Sequence, residues 1–259
     1  MRNPYDHFAR IAHRYRHLRS TDLAPILFIR HRLRSFRRIR AVDVGCGAGR
    51  YDLRLFQNLR GRLQLVCVDY NERMLRHLYR YLRSQKVRRF AAVRAPAEKL
   101  PFQDECLDCI FTFNAVHHFH LAPFLAEVER LLRPGGYLFI YTRFRSQNRR
   151  NIWGRFFPQF SEKETRLYEL PELESQIGQR PTLMLEEARH FLYRRVSDLA
   201  TLLEKAENHH YSTFYLYGED EFWEALVGFQ RNLRRYFPDP SRITWIDENA
   251  LLVVRKVLA

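Results

Sequence analysis

The sequence predicts an α/β protein in which a mostly parallel sheet carries helices on both faces. Between residues 39 and 142 short apolar runs alternate with segments of helical periodicity, the punctuation of successive βαβ units. Glycines cluster where the first apolar run ends, which is where ligands enter such sheets. A length of 259 residues suits one core with a modest insertion.

Taken in order, Phe8, Ile11, Ala12, Tyr15 and Leu18 recur at helical spacing and predict an amphipathic N-terminal helix, with a second over 24–35. The period then changes. Ile39 to Val44 reads as a buried strand closed by Gly45, and Arg50 to Leu59 as the first crossover helix. Leu63 to Val68 is the next strand, Glu72 to Arg83 the next helix, and Phe90 to Val93 a short third strand. Leu107 to Asn114 is a fourth strand. Ala122 to Leu132 is a helix stopped by Arg133, Pro134 and Gly135, and Tyr137 to Thr142 a fifth strand. From Arg143 to about Pro181 runs an aromatic, arginine-bearing stretch. A strand at His190 to Arg194, helices at Ser197 to Asn208 and Glu219 to Tyr236, and a last strand at Ala250 to Val257 follow.

An apolar fraction of 46% and an aromatic fraction of 14% belong to a folded chain, because disorder needs low hydrophobicity. No run reaches the roughly 18 apolar residues of a membrane span; the best, Leu23 to Ile29, is broken by Pro25. The arginine-rich start, Met1 to Arg19, contains Asp6, lacks a serine-rich character and merges into patterned sequence, so it reads as part of the fold rather than a transit peptide. Four cysteines are too few for a disulfide framework, and Cys46, Cys67 and Cys109 in strand-like settings suit reduced thiols and a cytoplasmic protein. Cys106 and Cys109 form a C-x-x-C pair, but with no second pair they do not suggest zinc, and no metal site is expected. The formal charge of +15 comes almost wholly from arginine, since only five lysines stand among the 44 basic residues. Such a field draws acidic substrates, nucleic acid or an anionic membrane surface, unless it reflects a codon preference alone.

The most informative segment is Val42-Asp43-Val44-Gly45-Cys46-Gly47-Ala48-Gly49-Arg50, at the turn from first strand to first helix. Glycines there permit positive φ and let the backbone approach a ligand closely. A dinucleotide fingerprint would place its third glycine where Arg50 stands. Asp43, two residues before Gly45, would repel a pyrophosphate and attract an ammonium, which favours a ligand bearing an amino acid. Asp69 closes the second strand, where a carboxylate can accept both hydrogens of a ribose, and Tyr70 and Met74 follow as apolar walls for a base.

These residues, with Ala97-Glu98-Lys99-Leu100-Pro101-Phe102 and Glu127-Val128-Glu129-Arg130-Leu131-Leu132-Arg133-Pro134-Gly135-Gly136, resemble the successive motifs of class I methyltransferases, especially the ubiquinone and menaquinone biosynthesis type. The resemblance covers about residues 5 to 142. It implies a Rossmann-like three-layer α/β/α sandwich whose seven-stranded, mostly parallel sheet ends in an antiparallel strand, and S-adenosyl-L-methionine as cofactor. It implies further that Gly45, Cys46, Gly47 and Gly49 pass under the methionine part, that Asp69 holds the ribose, and that Ala97 and Glu98 edge the adenine. Pro96 departs from the pattern, because the family often carries Asp there to accept from the adenine amino group. The N-terminal segment resembles the helix that folds over the cofactor, which makes Tyr15 and Arg19 candidates near its carboxylate. The chain is accordingly expected to be one methyltransferase domain over 1–259, with a helical cover at 1–37, a cofactor-binding core at 38–142, and substrate-side cover and last strands at 143–259.

Methyl transfer is an in-line displacement, so the protein mainly aligns acceptor and methyl and excludes water. Asn114 and His117 end the fourth strand, where such folds face the methyl; His117 or His118 has a pKa suited to a base, or either is a packing histidine. Arg143 and Arg145 suit an acidic acceptor, Trp153, Phe156 and Phe157 a planar one, and the 209–214 segment is an expected opposite wall. The expected acceptor is a small anionic or aromatic metabolite. RNA, tRNA or rRNA, is the alternative that the charge suggests, and a cofactor-binding scaffold without turnover is a third.

Overall fold

The computed structural model describes residues 20–258, so the predicted helix over 8–18 lies outside the described residues. In chain order the elements are α1 (Ala24–Arg32), β1 (Ile39–Val44), α2 (Arg50–Leu59), β2 (Leu63–Asp69), α3 (Glu72–Ser84), β3 (Ala91–Arg94), β4 (Leu107–Phe113), α4 (Leu121–Leu131), β5 (Leu132–Thr142), α5 (Arg145–Arg150), α6 (Ile152–Phe156), α7 (Phe160–Lys163), α8 (Leu170–Gly178), β6 (Leu183–Ser197), α9 (Leu199–Glu207), α10 (Glu219–Tyr236) and β7 (Ile243–Lys256). Seven strands form one sheet in the order β3-β2-β1-β4-β5-β7-β6. β1 to β5 pair parallel and β7 runs antiparallel to β5, the Rossmann-like arrangement that the resemblance implies.

By contact density the chain divides into two units. The larger holds 20–142, 170–191 and 250–258, the smaller 143–169 and 192–249, and β6 and β7 contribute to both.

In the larger unit alternate positions of the strands fill one face of the sheet: Ala41 on β1, Cys67 on β2, Phe111 on β4, Phe139 on β5 and Val253 on β7. Ile29 of α1, Leu55 of α2 and Leu78 of α3 pack into that same cluster, so these three helices cover one face. The strand order makes α4 cover the other. From β1 the chain steps through β2 to β3 in one direction and from β4 to β5 in the opposite one, and right-handed crossovers then put α2 and α3 on one side and α4 on the other. β1 and β4 flank the point where the winding reverses, the customary ligand crevice of such sheets.

Three boundaries differ from the sequence expectation, each through non-local pairing. β5 begins at Leu132 rather than Tyr137, because the register jumps from Leu107↔Leu132 to Cys109↔Tyr137 and the Pro134-Gly135 stop bulges out within the strand. β6 has 15 residues where five were expected; Glu186, which breaks the apolar pattern, is paired with Arg32 of α1 and Arg255 of β7. β7 begins at Ile243 rather than Ala250. The aromatic stretch after Arg143 contains four helices of four to nine residues, most of them too short for a period to register. The core of the smaller unit is aromatic, with Trp153 stacked on Phe229 at 4.9 Å and 25°.

Phe111 is fully buried and stacks on Phe139 at 5.6 Å. Truncation by Phe111→Ala should cost about 3–5 kcal/mol of unfolding free energy in urea titrations. A loss below about 1 kcal/mol would mean that this face is not the packed core described.

Candidate functional site

The loop from β1 into α2 turns on three glycines in the left-handed region, Gly45 (φ 74°), Gly47 (φ 56°) and Gly49 (φ 83°). A Cβ on Gly45 would also lie 2.5 Å from the Cβ of Ala115, so the glycine lets the loop abut the segment that follows β4. The loop is tied to β2 by its backbone: the N–H groups of Gly45 and Cys46 donate to the Val68 carbonyl at 2.8 and 3.1 Å.

Asp69 completes the attachment. Its Oδ2 accepts from the Gly47 N–H and its Oδ1 from the Asn71 N–H, each at 2.8 Å. Asn71 in turn caps α3 by accepting from the Arg73 and Met74 N–H groups. One carboxylate thus joins the glycine loop to the start of the next helix, and each oxygen keeps a lone pair for a further donor. Burial raises the Asp69 carboxyl above the usual range, against these two hydrogen bonds, which act downward.

Beneath the loop lies a second acid. Asp43 stands on β1 in register with Cys67 of β2 and Phe111 of β4, and it is fully buried. Its Oδ1 receives no hydrogen bond from another donor among the described residues, and its carboxyl lies against that of Asp52, so that the two can share a proton. Asp52, in the first turn of α2, shares this environment: its Oδ1 accepts from the Cys67 thiol at 3.0 Å and its Oδ2 receives no hydrogen bond from another donor among the described residues. Burial, then the fields of Asp52 and Asp69, hold the Asp43 carboxyl well above the carboxylate range. Burial likewise pushes Asp52 up to about 7. Burial also pushes the Cys46 thiol up, which leaves it a packing group rather than a nucleophile.

The other expected residues fall as follows. Tyr70 is exposed beside Asp69 with Arg94 over its ring, and Met74 is buried at the start of α3. Ala97 is buried; Glu98 is half-buried and accepts from the His120 N–H at 2.7 Å, which links the segment after β3 to the start of α4. The carbonyl of Pro96 accepts from the Lys99 N–H at 3.3 Å. Asn114 leaves β4 with φ 54° and its N–H donates to Tyr141 at 2.7 Å; the next turn holds His117 and His118 with ring centroids 4.1 Å apart. Gly45 against Ala115 and Phe119 places this turn beside the glycine loop.

Within the smaller unit Arg143 is buried and ion-paired with Asp247, and it donates to the Glu248 carbonyl at 3.1 Å. Trp153, Phe156 and Phe157 belong to that unit's core, where His210 packs on Trp153 at 4.7 Å. Tyr15 and Arg19 lie outside the described residues.

Sequence reasoning missed Asp52. A signal was present, because Asp52 lies three and seven residues before Leu55 and Leu59, on the buried side of α2.

Residues 42–140 match the family model described as a methyltransferase domain. Over 62 residues, 24% of this chain, the sequence is 50% identical to phthiotriol/phenolphthiotriol dimycocerosates methyltransferase 1 of Mycobacterium ulcerans, and the match spans 22% of that relative's length. A crystal structure of an antibiotic-biosynthesis-pathway protein from Anabaena variabilis shares the fold at TM-score 0.68 and 20% identity, over 93% of this chain and 99% of that one. Phosphoethanolamine N-methyltransferase 2 of Haemonchus contortus, solved with phosphomonomethylethanolamine and S-adenosylhomocysteine, does so at TM-score 0.55 and 17% identity, over 90% and 52%.

The buried acids make stability depend on pH. A carboxyl that titrates near 4 in the unfolded chain and near 7 when folded binds more protons in the folded state between those values, so its contribution is full below pH 4 and is lost as pH rises through 7. Thermal melts should show stability falling across that window. Asp52→Asn should flatten the fall and raise the melting temperature relative to wild type most at about pH 8; equal offsets at about pH 5 and pH 8 would show that Asp52 does not titrate there.

Proposed function

We propose that this chain, whose residues 42–140 match the family model of a methyltransferase domain, binds S-adenosyl-L-methionine on the β1–α2 loop and moves its methyl group to a small anionic or aromatic acceptor. The observation that carries the reading is the Asp69 carboxylate, held by the Gly47 N–H at the mouth of the glycine loop, with a second acid buried beneath it. The residues present fit this cofactor. The glycines leave no side chain between loop and ligand, and the buried Asp43 carboxyl meets another acid, Asp52, and no cation among the described residues. A pyrophosphate would instead meet two acid groups whose ionisation its charge opposes further, whereas a cationic ligand favours it.

When bound, the cofactor supplies an electrophilic methyl group on a sulfonium. The work of the chain is to hold and orient. Gly45, Cys46, Gly47 and Gly49 would pass beneath the methionine part, Asp43 would attract its ammonium, and Asp69 would accept the ribose hydroxyl hydrogens on its remaining lone pairs. Tyr70 and Met74 would flank the adenine with Ala97 and Glu98 at its edge, and Tyr15 and Arg19 would approach the carboxylate. Asn114 and His117 would orient the acceptor, His117 taking a proton where the acceptor carries one; Arg143, the sequence's candidate for an acidic substrate, already pairs with Asp247.

Asp69→Ala should weaken S-adenosylhomocysteine binding by about ten- to a hundredfold in isothermal titration calorimetry, the worth of hydrogen bonds to a charged acceptor. Unchanged affinity would remove the ribose assignment. Methyl-labelled cofactor, incubated with the protein and either a metabolite or an RNA extract, should label the metabolite pool. Label confined to RNA would replace the acceptor class, and label in neither would favour a scaffold.

A further inference from the structure

The basic residues are not spread evenly over the larger unit. Between residues 30 and 94 the sequence carries 18 arginines and lysines against four acids, Asp43, Asp52, Asp69 and Glu72. Asp43 and Asp52 are buried and Asp69 is half-buried with both oxygens held at the glycine loop, so the carboxylate on the outer surface of these helices is Glu72, already paired with Arg76 at 2.8 Å.

The fold collects these cations on one side. α1, α2 and α3 cover the same face of the sheet, and their solvent sides present Arg30 and Arg34 at the end of α1, Arg54 on α2, and Arg73, Arg80 and Arg83 on α3. Arg30, Arg34, Arg54, Arg73 and Arg80 face no carboxylate among the described residues, whereas Arg83 lies over the Tyr79 ring at 5.2 Å. The layer on the other face is different. Arg130 of α4 is paired with Glu127 and Asp104, and Arg180 with Glu129, while α8 carries Glu172 and Glu174 and no cation. A genome-wide preference for arginine would load both layers alike, so the asymmetry is a property of this surface.

The same surface exposes apolar side chains. Leu23 and Leu27, 44% and 39% exposed, continue into Arg30 and Arg34 along one stripe of α1, and Tyr79 of α3 is 49% exposed. Guanidinium groups meet phosphate, but a nucleic-acid backbone gives leucines nothing to bury against. A bilayer interface takes both, with headgroup phosphates against the arginines and the upper acyl region against leucine and tyrosine. We infer that the α1–α2–α3 layer is a docking surface for an anionic lipid membrane. The association inferred is at the interface, and no helix among the described residues is long and apolar enough to cross a membrane.

The test is co-sedimentation of the full chain with vesicles of phosphatidylcholine alone or mixed with phosphatidylglycerol. Binding is expected to the mixed vesicles, to fall steeply with salt, and to be weak on the neutral ones. The triple variant Arg30→Glu, Arg54→Glu, Arg80→Glu, with an unchanged thermal melt, should bind the mixed vesicles at least about a hundredfold more weakly, since each cation near such a surface contributes about fivefold. Leu23→Ser with Leu27→Ser should lower vesicle binding while leaving retention on heparin unchanged. Equal binding to both vesicle types, or undiminished binding by the folded triple variant, would overturn the proposal. So would a leucine pair without effect on vesicles combined with tight, salt-sensitive binding to single-stranded RNA, which would make the layer a nucleic-acid surface.

Discussion

The architecture around the crevice depends on one hydrogen-bonded carboxylate. Asp69 accepts from Gly47 on one oxygen and from Asn71 on the other, so a loop that leaves β1 is fastened to the residue that closes β2 and to the cap of α3. Backbone donors at a left-handed glycine turn have no partner within a helix or ladder, and a loop of this kind needs an acceptor from elsewhere. The neighbouring parallel strand provides it because β1 and β2 are paired in register through Asp43↔Cys67 and Val44↔Val68. The same pairing delivers the Val68 carbonyl to the N–H groups of Gly45 and Cys46.

Against that frame, the acids below the loop are an expense the fold tolerates in one place. Most buried polar atoms find partners of ordinary kind, yet Asp43 and Asp52 are left with each other's carboxyl and no cation among the described residues, both beside a glycine turn at the reversal of the sheet. Local violations of packing rules concentrate where a ligand is to be met. A cationic group settling above the loop would lower the cost of ionising these carboxyls, and cofactor affinity and proton release are then linked through the same buried groups.

Charge follows a different logic from the crevice. Helices on one face of the sheet carry several arginines that face no carboxylate among the described residues, and the arginines on the other face are ion-paired, although both layers bury similar apolar side chains against the strands. The hydrophobic pattern fixes which residues turn inward and leaves the outward positions open to a surface role. Binding a small cofactor at one end of the strands and meeting a larger anionic body across a helical layer are compatible, since the two use different elements of the unit.

By itself the sequence determined the alternation of strands and helices up to residue 142, the glycine loop and the carboxylates at the ends of β1 and β2. Each of these is written in residues close together in the chain: periodicity, a cluster of glycines, an acid at a strand's end. Only the tertiary structure decided the rest. The strand at 190–194 was legible locally, but its extension over Glu186 to the 15-residue edge strand β6 was not, because Arg32 and Arg255 approach Glu186 from other elements. Asp52 stands at a position of α2 whose spacing from Leu55 and Leu59 turns it inward, but its meeting with Cys67 and Asp43 is set only by the fold. Burial and pairing are set by residues distant in sequence, and a charge's meaning changes with its surroundings while its letter does not.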